Sequence, residues 1–589
     1  VSNNVADFVN SYFFQPDQAS STVSGNGDDG YFLYKNGDHI NGQLIDVYGV
    51  IDQDGSGTPW DYTDSRVVRK DSVISAKTFW DQQEWIITTP ASTGDMEAGK
   101  HKQRVQWQGS ISCNWNDGGN WKGGLIPDTV TTAIIAANSF NITEISGTSV
   151  CYKLIIQPLA KLNIKSGGSL NVVENLVVKS DQSGTGSVIT ETGYNLSYGG
   201  RVIIEKYFNS NNKWHFVSSP LSNCNASIFL GGYLNSWDEQ NQQWVHIVSP
   251  GDSLKIAEGY SVKLPASVGN IISFSSSSGD LNSGNISTKP LTHTYGQDSS
   301  LNGFNLIGNP YPSSIDWDLV NVPNSVDAAI YYWDASAGSE GMYKSYVPGV
   351  GGSGSRYIPP MHGFFIHASD SANGAVINFN NIVRTHSGQN VNYKNSAYKE
   401  ILKFNVCGKI YCDATYIYFN DLASHDFDRK YDAFKLFTYD SLVPQVYTRI
   451  NGADLSINSM TLPSKGVIIP MGFKCKTAGI FTIKLDQPGV YNATNSIYIK
   501  DLLTGSTVNL LKNNSYVFNH LPVNNPNRFL IYINYSLVDK KVNSPGTTIS
   551  IYSADNKIII NKKSGEEIMD VEIVNLLGQV LGKSRVSNG

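Results

Sequence analysis

The chain runs to 589 residues, of which 40% are hydrophobic, 11% aromatic and 16% charged. Its 44 Lys+Arg against 50 Asp+Glu leave a formal net charge of -6, which argues against the basic footprint of a nucleic-acid binder. No apolar run reaches the ~18 to 20 residues of a membrane span, and 32 Tyr, 23 Phe and 11 Trp rule against a disordered chain.

Apart from Asn3 to Tyr12, where Val5, Phe8, Val9 and Tyr12 recur at helical spacing, the dominant period is two. Residues 1–92 form a first, aromatic-rich module, closed by the charged stretch Thr93 to Gln103. Residues 103–208 carry short apolar pairs such as Leu162/Ile164, Leu170/Val172 and Val202/Ile204 with Gly or Asn at the corners. That spacing fits the stacked strands of a β-solenoid, and a meandering sandwich would give a similar pattern. The polar run Lys206 to Asn212 ends this segment, and residues 209–395 follow as a duplicated module. Residues 396–538 read as a β-sandwich, Asp539 to Thr548 as a linker, and 546–589 as a last, partial domain. The expected fold class is all-β: tandem β-sandwich modules with a short β-solenoid.

The duplication rests on order as well as on matching residues. Trp214-His215-Phe216-Val217-Ser218-Ser219-Pro220 is answered by Phe304-Asn305-Leu306-Ile307-Gly308-Asn309-Pro310. Ser236-Trp237-Asp238 is answered by Tyr332-Trp333-Asp334, and Glu258-Gly259-Tyr260 by His362-Gly363-Phe364.

Motifs with chemical content are few. Two Gly-x-Gly-x-x-Gly matches, from Gly25 and from Gly349, lack the strand–helix context of a dinucleotide site and read as turns. His362 and His367, five apart on one strand, point to opposite faces and do not share a metal. Asp52 and Asp54 begin a calcium-like loop whose twelfth position is Thr63 instead of the bidentate Glu, so solvated turn carboxylates are the favoured reading and structural calcium the weaker one. Trp237, Trp244, Trp317 and Trp333 are candidates for stacking on sugar rings, with core packing the default for any one of them. Cys407 and Cys412 flank a turn-like Gly408-Lys409, which leaves a cross-hairpin disulfide and two free thiols as equal readings. No catalytic constellation emerges, so the chain is expected to be non-enzymatic and, that calcium aside, without a cofactor.

The C-terminal segments Ile549 to Tyr552, Asn556 to Ile560 and Val571 to Val580 resemble the type A sorting domain of type IX secretion substrates. The turn Asn575-Leu576-Leu577-Gly578-Gln579 is its most specific part. The family's later Gly-Ile-Tyr segment does not follow before Gly589, so this domain is expected to be partial. Residues 24 to 86, with Gly27-Asp28-Asp29, Leu44 to Gly49, Trp60, Arg69-Lys70 and Trp85, resemble the second half of a lamin-tail domain, an immunoglobulin-like sandwich. Asp-Ser/Thr-apolar triplets at Ser72, Thr129, Ser253, Ser371 and Ser441 resemble O-glycosylation sites of such exported proteins.

These resemblances imply an extracellular protein, secreted or held at the bacterial outer surface by the type IX machinery. The expected role is adhesion or surface assembly, with surface glycans or other surface proteins as partners and neither nucleic acid nor a membrane span. Two alternatives stand beside it: a secreted hydrolase or its carbohydrate-binding accessory, and a polymerising structural subunit.

Overall fold

The computed structural model describes residues 20, 25–70, 73, 75–88, 104–210, 212–276, 280–388, 401–461, 466–486 and 496–533, together with the strand segments 549–554, 557–562, 570–574 and 580–585. The fold is all-β, and among the described residues helix is confined to short 3-10 turns and one α-turn, Leu510–Asn513. No described helix is long and apolar enough to cross a membrane. The Asn3 to Tyr12 helix and the Asn575 to Gln579 turn lie outside the described residues. The chain divides into two compact units, Val1–Ala397 with Arg429–Asp440, and Tyr398–Asp428 with Ser441–Gly589.

In the first unit, two hairpins come first: Tyr31–Lys35 with Gln43–Tyr48, and Arg66–Arg69 with Trp85–Thr88. The Tyr48 ring meets Trp60, Tyr62, Trp80 and Trp85 edge-on, and its hydroxyl donates to the Trp60 carbonyl at 2.7 Å.

A parallel β-helix follows. Each of three coils contributes one strand to each of three sheets: Thr143–Ile145, Thr148–Cys151 and Lys153–Ile156; Lys161–Ile164, Ser169–Val172 and Leu176–Val178; Ser187–Thr190, Asn195–Tyr198 and Val202–Tyr207. Alternation explains the stacking: polar Lys161, Asn163 and Asn171 look outward, while Leu162, Ile164, Leu170 and Val172 are fully buried. The register then sets like on like, Leu154 on Leu176 on Val202 and Ile156 on Val178 on Ile204. Leu170→Ala in this dry interior is expected to cost about 2–5 kcal/mol, read as a shifted midpoint of chemical denaturation. An unchanged midpoint would mean the coils are not close-packed.

The last coil is closed off on two sides. Val202–Tyr207 pairs antiparallel with Ile271–Ser276, ending the parallel ladder. The buried Arg384 guanidinium donates to the carbonyls of Val188 at 2.8 Å and Thr190 at 3.1 Å, and the Val188 amide donates to the Pro312 carbonyl. The edge of Ser187–Thr190 is thus occupied by side chains and loops of the repeats that follow.

Those repeats share one topology. The first orders its sheet Trp214–Val217, Tyr260–Lys263, Tyr233–Asp238, Gln243–His246; the second orders Phe304–Gly308, Gly363–Ala368, Val326–Asp334, Met342–Val347. Numbered along the chain, both are first, fourth, second, third. A small companion pair sits at the same place in each, Cys224–Asn225 with Ser253–Leu254 and Ser314–Asp316 with Tyr357–Ile358. The repeats also meet reciprocally. Val217 bridges to His362 and Ile307 to Glu258; the Ser218 amide donates to the Met361 carbonyl and the Gly308 amide to that of Ala257. Ala257 and Met361 both take left-handed backbone, with φ of 59° and 55°. Gly308 is required at this crossing, because a Cβ there would sit 2.2 Å from that of Ser218. The arrangement is a pseudo-two-fold pair. Residues Arg429–Asp440 return to this unit, where the Asp440 carboxylate accepts from the Ser339 and Glu340 amides.

The second unit is built on one sheet ordered Thr507–Asn509, Ile497–Asp501, Phe529–Ile533, Val467–Lys474, Gln445–Ile450, Ala453–Met460, Cys412–Phe419, Ile401–Cys407, Gly479–Asp486, Ser515–His520. Phe473, Phe481, Phe518 and Phe529 meet in its core. Leu510–Asn513 joins the two end strands of the order, so the sheet folds back over that core. Asp501 and Arg528, fully buried, form an ion pair at 2.6 Å.

Candidate functional site

The pseudo-two-fold creates two matching clefts between the repeats. The first, with a volume of about 360 Å³, is walled by His215 and Phe216 of one repeat and by Trp333, Asp334 and His362 of the other. Lys206 and the hairpin Ser180–Asp181/Gly184–Thr185, both from the end of the β-helix, complete it. The second, about 380 Å³, is walled by the equivalent residues with the repeats exchanged: Asn305 and Leu306 opposite Trp237, Asp238 and Glu258, with Lys289 beside them.

Strand alternation puts Lys206 where it is. In Val202–Tyr207 the buried face carries Val202, Ile204 and Lys206, while Glu205 on the other face pairs with Lys179 at 2.6 Å. Lys206 is 6% exposed and its ammonium has no hydrogen bond or ion pair among the described residues; its Nζ lies 6.0 Å from the centroid of the Phe208 ring. Burial pulls its ammonium down to about 8. His215 hydrogen-bonds the Ser210 carbonyl through Nε2 at 2.7 Å, and burial pushes its pKa to about 4. His362 is buried too, with neither ring nitrogen partnered among the described residues, and burial first, then the charges of Lys206 and His215, hold it well below the ordinary imidazole range. The Trp333 Nε1 has no acceptor either. The rim carboxylates are engaged locally: Asp334 accepts from the Ser336 amide and hydroxyl, and Asp181 from the Ser183 amide.

The second cleft closes the same positions internally. Glu258 stands where the first has His362, and its Oε1 pairs with Lys289 at 2.7 Å. Trp237, the counterpart of Trp333, donates from Nε1 to the Phe304 carbonyl at 2.7 Å. One cleft is electrostatically complete and the other is not.

Of the tryptophans proposed from sequence, Trp317 is wholly buried with its indole donating to the Ala328 carbonyl, and Trp237 is buried against Trp244 and Phe365. Trp317 serves the core, while Trp237 also walls the second cleft. Trp244 is 40% exposed, and Trp333, half-buried, lines the first cleft. Asp52 and Asp54 lie in an exposed turn, Asp54 capping the Ser56 amide, and no group of three metal-ligating side chains occurs among the described residues. Cys407 and Cys412 face each other across the hairpin Ile401–Cys407/Cys412–Phe419 and are disulfide-bonded. Thr129, Ser253, Ser371 and Ser441 are exposed, while Ser72 lies outside the described residues. His367, unlike His362, is satisfied by Asp327 at 2.7 Å.

Sequence reasoning passed over Lys206 and His215 and weighed His362 only as a metal partner of His367. The signal for the first was present, since a lysine two places beyond Ile204 continues the inward face set by Val202 and Ile204.

No curated protein and no solved structure matches the chain. One family model does, over residues 106–533, a span that takes in the β-helix, both repeats with their two clefts, and the large sheet of the second unit. The chain therefore belongs to the family described as a domain of unknown function, DUF8693.

Proposed function

We propose that this chain is an exported, non-enzymatic adhesion protein of the bacterial surface that holds its ligand in the first inter-repeat cleft. The observation that carries this reading is the cleft itself: an aromatic wall from two repeats beside the Lys206 ammonium, which has no counter-ion among the described residues, in a volume suited to a small ligand. The Cys407–Cys412 disulfide supports folding in an oxidising compartment. The likeness of residues 549–580 to type IX sorting domains supports delivery through that route, and the lamin-tail likeness of residues 24–86 accords with a multidomain surface protein.

Trp333→Ala is expected to reduce attachment of protein-coated beads to glycan surfaces at least fivefold, with surface labelling of intact cells confirming display. Attachment at the wild-type level in a folded Trp333→Ala protein would refute the cleft as the adhesive site. Labelling confined to lysed cells would refute export.

A further inference from the structure

We propose that the first cleft binds a sugar carrying one negative charge, a uronate or a sulfate ester, with Lys206 as the counter-charge and Trp333 beside the ring. The inference rests on the cleft being a ligand site and adds the chemistry of the ligand.

Two clefts of the same origin each contain a lysine, and only one supplies its own anion: Lys289 has Glu258 at 2.7 Å, whereas the Glu258 position opposite Lys206 is His362. A buried ammonium without a counter-ion is costly, so either a partner arrives or the proton leaves. Lys206 keeps its proton at neutral pH, because its pKa of about 8 still lies above 7. His215 and His362, held low by burial, are neutral there and add no charge. The cleft lining therefore offers one cation, matched to a monoanion better than to a dianionic phosphate. Asp181 is exposed and Asp334 half-buried, each at the rim, and neither approaches Lys206 within ion-pair distance. The Trp333 indole and the Phe216 ring give the apolar wall against which a pyranose packs.

The test is calorimetric titration of the full chain with glucuronate, glucose 6-sulfate and glucose. The two charged probes are expected to bind at least tenfold more tightly than glucose, and whichever is tighter identifies the anionic group. Lys206→Met is expected to bring them to the level of glucose. His362→Glu, which copies the second cleft, is expected to do the same in a protein whose melting temperature is not lowered. Should Lys206→Met retain the tenfold preference, or should glucose bind as well as the charged probes, the charge assignment is overturned while the cleft remains a sugar site. Absence of heat with all three probes overturns the sugar assignment, and the Trp333→Ala attachment assay then decides separately whether the cleft is adhesive.

Discussion

Arg528→Met is expected to destabilise the second unit by about 3–5 kcal/mol, the usual consequence of stranding one member of a buried ion pair. Arg528 reaches Asp501 through two bonds, Nε to Oδ1 at 2.9 Å and Nη2 to Oδ2 at 2.6 Å, and its Nη1 donates to the Asn519 carbonyl. Burial pushes the Asp501 carboxyl up, but Arg528, the Tyr516 hydroxyl and the Leu503 amide outweigh it and hold the pKa below 3.8. A carboxylate depressed in the folded state contributes stability that is present above its unfolded pKa and lost as pH falls through the folded one. The wild type should therefore weaken below about pH 4 through this group. In Arg528→Met burial acts on Asp501 against only the Tyr516 hydroxyl and the Leu503 amide, so its carboxyl lies higher than in wild type, and lowering the pH should narrow the gap to wild type. Urea denaturation at pH 7 and pH 4 checks both statements; a gap that widens on acidification would contradict them.

Lys206→Met is expected to stabilise the first unit at neutral pH. A lysine whose folded pKa of about 8 lies below its unfolded value of about 10.4 opposes folding wherever it is charged, by an upper bound of about 3 kcal/mol. Between those two values the unfolded state binds more protons, so wild-type stability rises with pH while the methionine variant shows no such contribution. The advantage of the variant should thus be largest at pH 7 and shrink by pH 9.5. His215 and His362, which face Lys206 in the cleft, are already neutral over this range and leave the trend intact. Melting curves at several pH values measure it, and a variant less stable than wild type at pH 7 would show that Lys206 is structurally satisfied. Stability given up at one position is the expected signature of a site kept for binding.

The sheet architecture was legible because it is written locally. Lys161-Leu162-Asn163-Ile164 declares an inward and an outward face within four residues, and the paired motifs ending at Pro220 and Pro310 declare the repeat. The site was not, because it depends on which faces of two repeats meet. A tryptophan on a strand reads the same whether it lines a cleft, as Trp333 does, or fills a core, as Trp317 does. His362 carries no sign in sequence that its counterpart Glu258 has a lysine to pair with. The polar run from Lys206 to Asn212 was read as a boundary, and Lys206 proves to be the last inward position of the β-helix. The return of residues Arg429–Asp440 to the first unit likewise depends on long-range bonds such as that from Ser339 to Asp440.

The closure of the final coil limits how molecules can join. A β-helix with a bare terminal ladder is a template on which a second copy can continue the stack, as fibrous assemblies do. Here Ile271–Ser276 reverses direction across one sheet and the Arg384 guanidinium takes the carbonyls of another. A second copy therefore cannot continue the parallel stack coil on coil along Val202–Tyr207 and Ser187–Thr190, whose next places are taken from within the chain.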